Sequence, residues 1–468
     1  MGPDTERTFM DKALNGKHDW TLLKRLALLA APMALQNVIS FSVGLTDNLI
    51  VGSLGELALS GVFIANQFQN LIQMLVIGLS SAMMVLASQY WGKRDGERVK
   101  SIIGITLKFG LACTLFMFLL TLFFPGFILG LFTNDSKVVL EGMKYLSIIR
   151  FSYLFFCITQ ILIASMRVVE RVKIGMFLSL CTFVVNLFLN WLLVFGNLGA
   201  PKLGIRGSAI ATLSVRILEC AIMVFYVIFV DVRLRLKFQE LLHTDRELLK
   251  RFLKYGLPVI IGDLTWGINL ATQGAIIGHL GATATAAVSL STVIFQMVGV
   301  VVYGTAGATA IIIGQTVGSG DIEKVKRYSR SLQVYFLIIG LFSGLALFLV
   351  REPILLLYNL SPEAKNMALR MMTVLSVTII GTSYQMSSLT GIVRAGGATH
   401  FVLVNDLIHI WCFVIPASLL AAFVFHADPV VVFALLKSDQ ILKCFVAVIK
   451  VNRFKWIRNL THEASSPA

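Results

Sequence analysis

The chain has 468 residues, 57% of them hydrophobic and only 14% charged, with a formal net charge of +15. A soluble globular domain is nearer a quarter charged, and repeated apolar runs of about 20 residues can each cross roughly 30 Å of hydrocarbon, so a single water-soluble core is excluded. The basic residues cluster between those runs, which sets nucleic acid aside as their partner and fits the positive-inside pattern of a multi-pass membrane protein.

The N-terminal stretch 1–20 is polar and contains no signal-peptide apolar core and no myristoylation pattern. About twelve apolar runs follow, near 26–51, 59–88, 101–124, 143–166, 174–196, 207–230, 252–279, 284–316, 330–350, 366–393, 401–424 and 428–449. A spanning segment must satisfy its own backbone, and runs of this length do so as helices, so the fold class is all-α membrane protein. The first run carries no charge from Leu26 to Thr46 and then meets Asp47, in SVGLTDNLIVGSLG (42–55). A helix C-terminus disfavours an acid and a buried carboxylate is costly. Asp47 therefore either reaches water, capping the outer loop, or is used. It lies fifteen residues past Pro32, about 22 Å along a helix.

Basic clusters at 92–100, 166–173, 231–237, 246–254, 323–330 and 450–458 alternate with loops poorer in Lys and Arg, namely GSLGE, FTNDSK, GHLGAT and FHADP. The stretches 199–207 and 351–365 are basic exceptions. This bias puts both termini in the cytoplasm and the chain in the cell membrane. The six cysteines all fall inside apolar runs without metal-ligand spacing, and read as small packing residues. The polar connector at 232–250 divides the chain. The expected organisation is a cytoplasmic segment 1–20, a first lobe 21–231 with spans 1–6, the linker 232–250, a second lobe 251–450 with spans 7–12, and a cytoplasmic tail 451–468.

The two halves repeat. When Pro32 is laid on Pro258 without a gap, Gly52 falls on Gly278, Gly78 on Gly304, Gln89 on Gln315, Gly92 on Gly318 and Asp95 on Asp321. A second, slightly shorter register lays NLFLNW (186–191) on DLIHIW (406–411), so Asn186 falls on Asp406. An even number of spans per half gives both halves the same orientation. The expectation is two six-helix bundles related by a pseudo-twofold axis along the membrane normal, an architecture of transporters.

Several stretches carry a resemblance beyond these halves: TDNLIVGSLGELALSGV after Pro32, ASQYWGKRD (87–95), NLFLNW, VFGNLGAPKLGIRGSAIAT (194–212), YGLPVIIGDLTWGI (255–268), GQTVGSGD (314–321) and GIVRAGG (391–397). In order and spacing the chain resembles the multidrug and toxic compound extrusion (MATE) family, from about residue 20 to 455. The resemblance implies a V-shaped pair of lobes that exports cationic, lipophilic or aromatic compounds against inward H⁺ or Na⁺. It implies a first-lobe cation site at Asp47, with Asn186 and Asn190 of span 5 as partners. Those two share a helix face by their i,i+4 spacing. Some family members carry an acid where Asn190 stands, which leaves the ion, H⁺ or Na⁺, open. Thr212 is a further candidate oxygen. The alternative is that the asparagines only bond neighbouring helices. A second proton site is a candidate at Asp263, where many family members have an acid, or at Asp406 and His409, one turn apart in span 11. A His–carboxylate pair can move protons near neutral pH, or can simply hold helix to helix. The family's span 10 acid would fall near Ser383, which cannot titrate. Arg216 and Glu219, at i,i+3 in span 6, read as a structural pair.

There is no phosphate-binding loop, so transport energy would come from an ion gradient, and no nucleophile or zinc arrangement supports an enzyme. The function this suggests is an H⁺- or Na⁺-coupled antiporter working by alternating access, with no cofactor beyond the coupling ion. Its expected partners are small drug-like molecules, cationic or aromatic, and the bilayer; duplicated halves would let one chain act as a monomer. Drug specificity is not written in 33 Phe and 16 Met, most of which must face lipid or lobe cores. An alternative is a flippase for lipid-linked oligosaccharides. That would need several mid-span cations, and Arg216 is the main one read here. A non-transporting sensor would need no duplicated cavity.

Overall fold

The computed structural model describes residues 19–242, 245–355 and 361–461, and every regular element among them is helical. In chain order the first half contains α1 (Asp19–Gly52), α2 (Glu56–Gly92), α3 (Gly96–Phe123), the short α4 (Pro125–Gly130), α5 (Ser136–Ile149), α6 (Ser152–Val168), α7 (Lys173–Phe195) and α8 (Ile205–Phe225). Helix α8 runs on as a π turn over Tyr226–Val230, and a short α9 (Phe238–Leu242) lies in the polar connector. The second half contains α10 (Arg246–Gly278), α11 (Ala282–Gly318), α12 (Ile322–Leu355), α13 (Pro362–Met386), α14 (Thr399–Leu407), α15 (Ile415–Leu419), α16 (Pro429–Leu436) and α17 (Asp439–Asn452). π segments at Ser387–Arg394, Ile408–Val414 and Leu420–Val424 interrupt it.

Among the described residues nine helices are long and apolar enough to cross a membrane, ten if α5 and α6, which meet at 54°, form one broken span. The other two of the twelve expected spans coincide with α10 and with α16 plus α17. Neither is a single long apolar helix: α10 carries Asp263, Asn269 and Gln273, and the last span breaks at Lys437–Ser438 into helices of 8 and 14 residues, with Asp439 and Lys443 just beyond.

The repeat is visible in geometry. Gly55 and Gly281, counterparts in the repeat, turn the chain after α1 and α10 with φ of +108° and +106°, a region that favours glycine. Asp95 accepts a hydrogen bond from the Arg98 N–H at 3.2 Å and so caps α3; its counterpart Asp321 accepts one from the Lys324 N–H at 3.0 Å at the start of α12. Gly92 packs on the backbone of Gln315, and Gly318 on the backbone of Gln89, so closely that a Cβ at either would collide with the chain it faces. Likewise a Cβ at Gly78 would lie 3.1 Å from Ile260 Cα, and one at Gly304 would lie 3.1 Å from Ala34 N. Ala34 and Ile260 are themselves counterparts in the repeat. Small residues are what allow backbones to approach in a membrane, where packing rather than the hydrophobic effect joins helices.

The chain forms two compact units. One comprises Leu35–Ala87 and Asp95–Leu264; the other comprises Met1–Ala34, Ser88–Arg94 and Thr265–Ala468. Within the second, the stretch after α17 is held down. The Trp456 ring is fully buried beside Gly396, the Arg458 N–H donates to the Gly396 carbonyl at 2.8 Å, and the Leu460 N–H donates to Gln89 Oε1 at 2.8 Å.

Candidate functional site

Helix α7 is a regular helix, closed at Gly196 in the left-handed conformation at φ +76°. Its regularity puts Asn186 and Asn190 one above the other, and both are buried. Asn190 Nδ2 donates to Asp47 Oδ1 at 2.9 Å and also lies 3.2 Å from Asn186 Oδ1 and 3.1 Å from the Asn186 carbonyl. Asp47, half-buried near the end of α1, is thus met by the amide face of α7. A hydrogen bond to a charged group is worth about 1.5–3 kcal/mol, which is the compensation that a carboxylate in a span requires.

Asn190 Oδ1 beside this contact is buried and has no hydrogen-bond partner among the described residues, and the buried Thr212 Oγ1 has only the Tyr145 hydroxyl near it. Tyr145 of α5, also buried, lies within electrostatic reach of Asp47 and beside the Thr212 hydroxyl. An orphaned buried polar atom costs about 1–3 kcal/mol, so a cation or a proton brought here would gain from satisfying it. The Asn190 amide suits either state of Asp47. It donates Nδ2 to an ionised carboxylate, and after an amide flip its Oδ1 could accept from a protonated one. Behind this group Arg216 Nη1 donates to Glu219 Oε2 at 2.8 Å, Thr182 Oγ1 donates to Glu219 Oε1 at 3.0 Å, and the Arg216 guanidinium lies 4.8 Å from the centre of the Phe156 ring.

The structure therefore brings together Asp47, Asn186 and Asn190, with Thr212 beside them through Tyr145. Asp263 is in the same compact unit, half-buried on α10, with its Cβ facing the bare side of Gly78. Asp406 and His409 lie in the other unit, and the hydrogen bonds they make lead to other residues. His409 Nδ1 donates to the Asn405 carbonyl at 2.8 Å. Asp406 pairs with Lys443 Nζ at 2.8 Å, and Lys443 also lies 3.3 Å from Asp439. Nearby, Lys437 Nζ donates to Gln273 Oε1 at 2.8 Å, and Gln273 Nε2 to Asn269 Oδ1 at 3.2 Å. Gln440 Nε2 donates to Asp439 at 2.8 Å, and Gln385 Nε2 to Gln440 Oε1 at 2.9 Å. Mid-span cations are thus more numerous than Arg216 alone. The signal for them is the KSDQILK stretch (437–443), three charges in one expected span. Tyr145 offered no signal.

A family model described as MatE matches residues 32–192 and 258–420, two segments that open on Pro32 and Pro258, the prolines paired in the internal repeat. The chain is 24% identical over 401 residues to the probable multidrug resistance protein NorM of Thermotoga maritima, covering 84% of each chain. It is 26% identical over 411 residues to the probable multidrug resistance protein YoeA of Bacillus subtilis, covering 84% of this chain and 86% of that one. In fold it is similar to the crystal structure of the eukaryotic MATE transporter AtDTX14, with a TM-score of 0.83 at 19% identity over 95% of this chain and 98% of that one. It is equally similar to the Vibrio cholerae MATE transporter VcmN in its bent form, with a TM-score of 0.83 at 19% identity over 94% and 98%. A model that spans both halves of the repeat, with relatives and solved structures aligned over most of their length, makes the chain a member of the MatE family, a membrane transporter and not an enzyme.

Proposed function

We propose that the protein is a multidrug exporter of the cell membrane, an antiporter that couples outward movement of small cationic or aromatic compounds to inward H⁺ or Na⁺ at Asp47. The observation that carries the reading is the contact of Asp47 with Asn190, whose buried Oδ1 has no partner among the described residues. The names of its relatives as multidrug resistance proteins support the class of cargo.

In this reading ion and drug compete through the first half. Protonation or Na⁺ binding at Asp47 recruits the idle Asn190 oxygen and shifts α1 against α7, and the drug leaves outward. Exposure of the site inward then lets drug binding favour ion release. Coupling requires that each ligand bind the two states with different affinity. One chain suffices, with both termini in the cytoplasm. Lys443 lies between Asp406 and Asp439, and Lys437 is bonded to Gln273, so the four charges sum to zero and do not make the cationic surface that an anionic lipid-linked cargo would need.

The test is a fluorescent cationic dye followed in liposomes under an imposed Na⁺ gradient and then an imposed pH gradient, with wild type beside Asp47→Asn. Dye movement that follows one gradient and disappears in the variant is the expected result. Full ion-driven movement in Asp47→Asn would refute the scheme.

A further inference from the structure

The internal repeat allows the first-half site to be compared with its own copy. In the register that lays Pro32 on Pro258, Asp47 corresponds to Gln273. In the register that lays NLFLNW on DLIHIW, Asn186 corresponds to Asp406, and Asn190 to Ile410. The first half places an acid on span 1 and amides on span 5, and these bond each other. The second half has the reverse, an amide on its first span and an acid on its fifth. Each of them is bonded by an ammonium group of the last span. Lys437 Nζ donates to Gln273 Oε1 at 2.8 Å, and Lys443 Nζ lies 2.8 Å from Asp406.

The rest of the cluster fits this arrangement. Gln273, Asp439 and Lys443 are all buried, and Asp439 lies 3.3 Å from Lys443 as a second counter-charge. Two ammonium groups thus face two carboxylates. A buried charge is tolerated when it is paired and hydrogen-bonded. An external cation seeking Gln273 or Asp406 would have to displace an ammonium already tethered there, and would leave that ammonium buried without its partner.

We propose that the second half carries its own cations: the ammonium groups of Lys437 and Lys443 stand where the first half takes up its coupling ion, so the counterpart of the Asp47 site takes up none. The proposal rests on the reading of Asp47 as the coupling site. It makes the pseudo-symmetric chain asymmetric in chemistry, with one exchangeable cation place and one permanently filled by lysine.

The experiment measures the thermal unfolding midpoint of the intact chain in lipid nanodiscs, with added Na⁺ and across the neutral pH range. Wild type, Asp47→Asn, and Asp47→Asn combined with Gln273→Asp and Lys437→Met are compared. The expected result is a cation-dependent shift in wild type, its loss in Asp47→Asn, and its return in the triple variant, where an acid now faces a vacated ammonium place. Absence of any return in a folded triple variant would overturn the proposal. A response that survives Asp47→Asn and then disappears when Lys437→Met is added would overturn it too. A response that survives Asp47→Asn and ignores every change at Gln273 and Lys437 would defeat the Asp47 reading while leaving the counterpart place at Gln273 ion-free, as proposed. Should the triple variant not purify, Gln273→Leu alone decides: the proposal requires the wild-type shift unchanged, and its loss contradicts it.

Discussion

The fifth span of each half occupies the same place in the repeat, yet the two differ in backbone and in chemistry. In the first half it is α7, unbroken from Lys173 to Phe195, and its regular turn stacks Asn186 on Asn190 against Asp47. In the second half α14 ends at Leu407, one residue past Asp406, and the backbone widens into π turns over Ile408–Val414 and again over Leu420–Val424. Pro416, at the start of α15 between them, has no N–H to give an α-helical ladder, a physical reason for the bonding to shift there. Insertions of this kind often accompany function. Here the outcome is that Asp406 meets Lys443 of the last span. The glycine contacts, caps and turns of the repeat are the same in both halves, while the charges at its site positions are not. Shared packing therefore does not imply a shared site.

The largest effect expected from breaking this contrast is at Lys443. Lys443→Met removes the counter-ion of Asp439 and Asp406 and should destabilise the second half by roughly 3–5 kcal/mol, read as a lower unfolding midpoint in detergent. Adding Asp439→Asn and Asp406→Asn should recover much of the loss. A neutral Lys443→Met would show that the pair is not holding the second half. In the first half, Asn190→Ala removes the donor to Asp47 and should weaken the ionised site by about 1.5–3 kcal/mol, shifting the ion concentration for half-maximal transport about tenfold or more. Asn186→Ala, which removes the weaker of the two amide partners of Asp47, should shift it less; equal shifts would argue that both amides act on the ion alike.

The shared packing can be tested by paired changes. Gly92→Ala and Gly318→Ala each drive a Cβ into the opposing backbone and should cost similar amounts, about 1–3 kcal/mol. A large cost at one and none at the other would break the pseudo-twofold packing. The smallest effect concerns the connector. Burial raises the pKa of Glu240, but the Lys237 N–H and the Lys100 ammonium, each at 3.0 Å, outweigh it and hold the carboxyl below its usual range. Such a group stabilises the fold above its unfolded pKa, and the contribution is lost as pH falls through the folded one. Amide exchange over α9 should therefore quicken as pH falls below the carboxylate range after correction for intrinsic rates, and Glu240→Gln should cost about 1 kcal/mol and remove that dependence.

Much of the fold was legible because the repeat is written in Gly, Pro and Asp, residue types that apolar composition does not supply by chance. Asp47 stood out as the first charge after a long uncharged run. Asn186 and Asn190 followed from a shared helix face, a local periodicity. What was not legible depends on contacts between distant spans. Tyr145 is one tyrosine on a broken span, and only the packing of α5 on α8 brings it beside Thr212 and Asp47. The spacing of Asp406 and His409 suggested a local pair, but the carboxylate pairs with Lys443 of the next span at 2.8 Å, and His409 bonds the Asn405 carbonyl. Lys437 and Lys443 sit where an apolar run was read, because the hydropathy of a window averages over its charges.

The central claim is that coupling runs through one site in the first half. The most direct test is the transport balance point: with the membrane potential clamped at zero in liposomes, the drug gradient that just halts net flux is measured against the imposed H⁺ or Na⁺ gradient. The account predicts a drug ratio that follows the ion ratio to the first power, one ion per drug. A ratio that follows its square, two ions per drug, would contradict it, because the second half would then be taking up an ion as well.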